Sequence, residues 1–146
     1  MKVFLTGATG YVGGAVARRL KGRDYKLSAL ARSDDAAEKL SAEGIEPVRG
    51  DLRDFATLRE AANDADGVVH LAFSHDFDDY DEAVKLDREV VAAFADALAG
   101  TNKPLVATSS SAILGDTRSL PADEDFPFSE TSPRRLRGEA ERDVLQ

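Results

Sequence analysis

The sequence predicts an α/β fold, a doubly wound, three-layer parallel sheet with strand order 3-2-1-4-5. Three observations carry the prediction. Short aliphatic or β-branched runs alternate with longer segments of helical periodicity along most of the 146 residues, the form taken by repeated strand–helix–strand units. The runs themselves, "GVVHLA" and "PLVATS" among them, are apolar without alternation, as strands covered on both faces must be. Finally, a glycine-spaced turn, "TGATGYVGG", follows the first run and opens the first helical segment.

Taken in order, the first strand is Lys2–Thr6 and the first helix Tyr11–Lys21. Strand two, Lys26–Ala31, leads to a helix over Asp34–Ala42, and strand three, Glu46–Arg49, to one over Phe55–Asn63. Strand four is Gly67–Ala72. The helix after it, Asp79–Ala99, carries Ala83, Leu86, Val90, Val91, Phe94, Ala97 and Leu98 at three- and four-residue steps, with Lys85, Arg88, Glu89 and Asp96 opposite. Gly22, Gly44 and Gly100 stand where helices should stop. Strand five is Pro104–Ser109. From Gly115 to Ser132 the chain reads "GDTRSLPADEDFPFSETS", a long loop of the kind found at working sites, and a last helix opens at Pro133 and runs to Gln146.

Bulk properties narrow the function. At this length a single domain spanning 1–146 is expected. Lys and Arg number 19 against 27 Asp and Glu, a net charge of −8, which repels nucleic acid and anionic membranes. With no cysteine there is neither a disulfide framework nor a thiolate metal site, and a reducing cytoplasm is the expected location. Neither a signal peptide nor a run near the roughly 18 apolar residues of a membrane helix is present. In "SHDFDDYDE" the acids and His75, with His70 before them, invite a metal reading. The run lacks the central glycine and terminal glutamate of a calcium loop, so no metal is expected, and its acids fit the start of the fourth helix.

The glycine turn is the strongest chemical signal. Gly7 permits the tight turn, Gly10 a close backbone approach to a pyrophosphate, and Gly13 close packing of helix on strand. Free N–H groups at the helix start then face an anion, so Gly7, Thr9, Gly10, Tyr11, Val12 and Gly13 are the expected nucleotide contacts. The competing reading is a purely structural turn.

These residues resemble a known family. "TGATGYVGG" looks like the T-G-x-x-G-x-x-G signature of the short-chain dehydrogenase/reductase superfamily, in its extended or atypical branch of NAD(P)-dependent epimerases/dehydratases. "ALARSDDAAEKL", "VRGDLRD", "VVHLAF" and "PLVATSSSAILG" match in order, from Met1 to about Gly115. The resemblance implies a Rossmann sheet binding a dinucleotide. Relative to that family, strand six and the C-terminal substrate region are missing, and the chain looks truncated after strand five.

At the end of strand two, where an acid selects NAD and an arginine accommodates a 2′-phosphate, stand Arg32 and Ser33, so NADP is expected first and NAD second. Alternatively Arg32 is a solvated helix-entry charge and Asp34 or Asp35 reaches the ribose. The resemblance sets Asp51 against the adenine, with Leu52 beside it; a cap within "GDLRD" is the competing role. Leu71, Ala72 and Phe73 end strand four at the sheet's carboxyl edge and are expected to line the pocket, or to be ordinary core.

For catalysis the resemblance implies a Ser, a Tyr and a Lys four residues beyond it. Ser110 is the first choice for holding a substrate oxygen and Ser111 the second, with Thr108 and Ser109 beside the cofactor. The alternative is that these hydroxyls satisfy backbone at a strand end. The tyrosines, Tyr11, Tyr25 and Tyr80, all precede strand five, and no lysine follows Lys103. The matching positions hold Pro133 and Arg137, and the family's fourth-helix asparagine is matched by Asp87. Arg137 keeps the positive charge and ribose contacts, or serves with Arg134 only as an anion contact. Two functions follow: an NAD(P)-dependent oxidoreductase acting on a small carbonyl or hydroxyl compound, or a non-catalytic NADP-binding sensor of the NmrA-like kind. An NDP-sugar epimerase or dehydratase is a further alternative, disfavoured by the acids near the expected mouth unless Arg134, Arg135 and Arg137 offset them. The apolar edge of strand five is a liability for which either a homodimer or the loss of a natural C-terminal portion is the expected explanation.

Overall fold

Buried side chains alternate sides along the first strand, β1 (Lys2–Thr6), and this alternation builds two cores. Val3 and Leu5 point to one face, where they join Ala17, Leu27, Ala29, Leu40 and Ile45. Phe4 points to the other and packs with Leu58, Val68, Leu86, Val90 and Phe94. Its ring meets Phe94 edge-on, centroids 6.1 Å apart at 73°. Helices α1 (Tyr11–Lys21) and α2 (Asp34–Ala42) cover the first face, and α3 (Phe55–Asp64) and α4 (Tyr80–Leu98) the second.

The protein is described here by a computed structural model covering residues 1–74, 80–118 and 120–144. His75, most of the acidic run after it and the expected helix start at Asp79 lie outside the described residues, as does the end of the last helix at Gln146. The sheet contains β2 (Lys26–Ala31), β3 (Glu46–Arg49), β4 (Gly67–His70) and β5 (Leu105–Ala107) beside β1. Its order is β3-β2-β1-β4-β5, every pair parallel, as the sequence predicts. The register sets Thr6 opposite His70 at the carboxyl ends of the two central strands. No helix among the described residues is long and apolar enough to cross a membrane.

Several boundaries differ from the expected ones for identifiable reasons. β4 closes at His70 rather than Ala72, because the N–H groups of Leu71 and Ala72 turn to Thr6 Oγ1, 3.2 Å from each, and leave the ladder. β5 is regular only over three residues, yet its bonding extends further: Val68 donates to the Pro104 carbonyl at 2.9 Å and Thr108 to that of His70 at 3.1 Å. A 3₁₀ turn follows at Ser111–Leu114. The last helix, α5 (Arg135–Val144), opens two residues after Pro133. Ser132 holds that proline in a turn, its hydroxyl oxygen accepting from Arg134 N–H at 3.1 Å and its carbonyl from Arg135 N–H at 3.0 Å. At the end of α1 the left-handed residue is Asp24, φ 60°, and Gly22 is right-handed.

Candidate functional site

The turn after β1 is shaped by two glycines that tolerate no side chain. Gly7 has φ +73°, and a Cβ there would lie 2.8 Å from Ala72 N and 2.9 Å from Leu71 C. The turn therefore lies directly on the backbone leaving β4. A Cβ on Gly13 would collide with the Gly7 carbonyl, so only glycine lets α1 pack this close. Gly10 is the N-cap of α1, with extended backbone, no side-chain cap and no acid in the following turn. The opening amides of α1 thus meet no protein carboxylate or hydroxyl cap, which leaves them and the helix dipole to an anion.

A cavity of about 300 Å³ opens against this turn at the carboxyl ends of the strands. Gly7, Thr9 and Gly10 line it from the turn, Arg32 from the end of β2, Asp51 and Leu52 from the segment after β3, and Leu71, Ala72 and Phe73 from the segment after β4. Nine of the residues expected from the sequence therefore converge. Arg53, inside "VRGDLRD" but at a position that carries no signal of its own, lines the same cavity.

Others stand apart from it. Tyr11 and Val12 are 97% and 55% exposed at the start of α1, outside the lining. Ser33 caps α2, its Oγ accepting from Ala36 N–H at 3.2 Å. Asp34, the alternative ribose ligand, is paired with Arg49 Nη2 at 2.5 Å, and Arg49 Nη1 also donates to the Ser33 carbonyl at 2.5 Å. Asp51 has a turn role as well: its Oδ1 accepts from Arg53 N–H at 3.0 Å. Ser110 and Ser111 line a second cavity of about 640 Å³, walled by Ile113, Phe126, Phe128 and Glu141. There Ser110 Oγ accepts from Ala112 N–H at 3.3 Å, which leaves its own hydrogen to donate. Thr108 and Ser109 line a third cavity of about 360 Å³ between β5, α4 and α5.

Between the first cavity and α5 runs a buried polar chain that the sequence does not announce. Thr6 Oγ1 accepts from Leu71 and Ala72, so its own hydrogen goes to His70 Nδ1 at 2.6 Å. That assigns the imidazole proton to Nε2, which faces Asp87 Oδ1 at 3.2 Å. Asp87 Oδ2 lies 2.5 Å from Arg137 Nη1, a charge contact without an aligned hydrogen bond, and Arg137 Nη2 donates to the Thr108 carbonyl at 2.5 Å. Thr6, His70, Asp87 and Arg137 are each at most 7% exposed. The Arg137 guanidinium also lies over the Phe73 ring, 4.4 Å from its centre. Phe73 in turn meets Tyr80 at 5.9 Å, and Arg134 covers Tyr80 at 4.1 Å. Of this chain the sequence names Asp87 and Arg137 through the resemblance, and Thr6 and His70 only as polar residues at matching ends of neighbouring buried strands.

Known proteins resemble this chain in sequence and in fold. A curated Schizosaccharomyces pombe protein described only as uncharacterized is 39% identical over 136 residues, 93% of this chain and 46% of its own. A 4-hydroxy-2-methyl-3-oxo-4-farnesyl-3,4-dihydroquinoline-1-oxide ketoreductase of Stigmatella aurantiaca is 32% identical over 159 residues, covering 100% of this chain and 46% of the relative. The crystal structure of gox2253 superposes with a TM-score of 0.81 at 32% identity, over 98% of this chain and 46% of that one. The chain spans about half the length of the curated relatives it matches. A family model described as the NAD dependent epimerase/dehydratase family matches residues 3–136, nearly the whole of the described fold including the glycine turn and the buried chain to its last member but one. The chain belongs to the NAD dependent epimerase/dehydratase family.

Proposed function

We propose that residues 1–146 form one dinucleotide-binding unit, with NADP preferred over NAD, serving an oxidoreductase that acts on a small neutral carbonyl or hydroxyl compound. The observation that carries the reading is the uncapped start of α1 opening beside a cavity that also contains Arg32. The glycine turn would hold the pyrophosphate, Asp51 and Leu52 the adenine side, and Arg32 a 2′-phosphate. Arg49 supports the phosphate-bearing form by engaging Asp34, one of the two carboxylates that would otherwise compete for a ribose. When bound, the dinucleotide supplies hydride chemistry; the chain's own contribution is the Ser110 hydroxyl, which keeps a hydrogen for a substrate oxygen. The ketoreductase similarity supports a carbonyl substrate, while the description of the family names NAD.

Fluorescence titration with NADPH and NADH tests the binding. Arg32→Ala is expected to weaken NADPH about tenfold or more, the size of one charged hydrogen bond, and to leave NADH nearly unchanged. Equal loss for both cofactors would remove the 2′-phosphate assignment. For the chemistry, NADPH oxidation is followed across a panel of ketones and aldehydes, and Ser110→Ala should cut any turnover about a hundredfold.

One observation favours a second reading, a dinucleotide-binding regulator without turnover. Pro133, at the position of the family's tyrosine, is exposed and has no proton to give, and Ser110 lines a different cavity from Gly7. Binding of NADPH with no oxidation on any carbonyl compound would select that reading.

A further inference from the structure

Arg137 is a charged group taken out of water at the far end of the chain from the glycine turn, and it does not line the cavity that the turn opens into. Burial of a guanidinium is costly unless its partners hold it well, so its contacts indicate what it is there to hold. Two routes lead from it, and they reach the cavity wall at that wall's two ends. The polar route passes through Asp87 to His70, then to Thr6, whose hydroxyl oxygen takes the N–H groups of Leu71 and Ala72. The other is direct, through the guanidinium lying 4.4 Å from the centre of the Phe73 ring. Residues 71 and 72 have left the sheet ladder, so neighbouring strand backbone no longer fixes them, and the Thr6 hydroxyl does so instead.

We propose that Arg137 is a positioning residue of the dinucleotide cavity, setting its Leu71–Phe73 wall from α5 through Asp87, His70 and Thr6 on one side and through Phe73 on the other. This rests on the dinucleotide reading of that cavity. It gives Arg137 work at a distance from the cofactor, in place of the direct ribose contact that the resemblance implies. Docking of α5 and the shape of the nucleotide wall then become one event. Asp87 shares the role, because the imidazole orientation follows from which oxygen of Asp87 remains for it once Arg137 has taken the other.

The test uses the whole chain and two readouts. Arg137→Gln alone leaves a buried carboxylate unpaired and is expected to unfold part of the population, so the informative variants are Arg137→Lys and the charge-free pair Asp87→Asn with Arg137→Gln. Amide spectra of the nucleotide-free protein should show Thr6, His70, Leu71, Ala72 and Phe73 displaced in the folded double variant. Its Kd for NADPH should rise about tenfold, whereas Arg137→Lys, which keeps the charge on Asp87 but loses the planar stack, should raise it about threefold. A role confined to docking α5 would move only amides of α5, α4 and β5. Unmoved wall amides in a folded double variant, or moved ones with unchanged NADPH affinity, would overturn the proposal. Should the parent bind neither NADPH nor NADH, the dinucleotide reading falls, and the wall amides alone then decide whether Arg137 sets the wall.

Discussion

At Gly13 the spacing between α1 and the turn after β1 is set by a hydrogen atom, since any Cβ there meets the Gly7 carbonyl. Gly13→Ala should therefore push α1 outward and weaken NADPH binding together with stability. Overpacking of this kind costs about 1–3 kcal/mol, read as a lower urea midpoint at unchanged slope. Residues of this type were legible in advance, because a glycine spacing reports a backbone requirement directly. Arg32, singled out by its place after strand two, and Asp51, singled out by the resemblance, both line the cavity. Asp87 and Arg137 stand out as departures from the resembled family's pattern, but their link to Thr6 and His70 does not. The four come from β1, β4, α4 and α5, and only the completed sheet brings them within hydrogen-bond reach. Tyr80 precedes strand five and so cannot be the family's tyrosine, yet its ring lies against Phe73 at the cavity wall.

Among the elements, α3 shows how a helix start is secured by one side chain. Asp54 caps it, accepting from Thr57 Oγ1–H at 2.7 Å and Thr57 N–H at 3.2 Å. The hydroxyl bond, then the amide bond, hold the Asp54 carboxyl below the usual aspartate range. A depressed carboxylate contributes stability that is present above its unfolded-state pKa and lost as pH falls through the folded one. Urea unfolding as a function of pH should accordingly show stability declining below about pH 4, and Asp54→Asn, which still caps but cannot titrate, should flatten that decline. Asp64 adds to the acid side, lowered by its bond to Lys2, whose own ammonium is raised chiefly by that same contact. Element ends that depend on such side-chain bonds were the least readable from sequence. β4 stops early because Thr6 captures two of its amides, and α5 starts late because Ser132 holds Pro133 in a turn.

For the molecule as a whole, the strand order is that of a doubly wound sheet, to which the alternation of strands and helices and the glycine turn after β1 point before any contact is known. The sheet leaves β5 at its rim. Among the described residues no strand pairs with the outer side of β5, and Val106 in its middle is 54% exposed. An apolar rim of this kind is normally paired, covered or charged. Sedimentation velocity on this chain should therefore show concentration-dependent dimers, reduced to monomer by Val106→Lys. A parent that stays monomeric at high concentration would remove the pairing. Relatives of about twice the length have further chain with which to cover the same rim.

The bare start of α1 has a practical consequence for anyone handling the protein. A helix end with no acid in its first turn and no capping side chain does not discriminate among small anions of phosphate-like shape. Sulfate, phosphate or pyrophosphate is therefore expected to bind there and raise the melting temperature, which thermal melts with and without the ion would check, since whatever binds only the folded form stabilises it. On the dinucleotide reading proposed above, these ions compete for the same cradle, so the apparent affinity for NADPH should be lower in phosphate than in a buffer free of phosphate and sulfate.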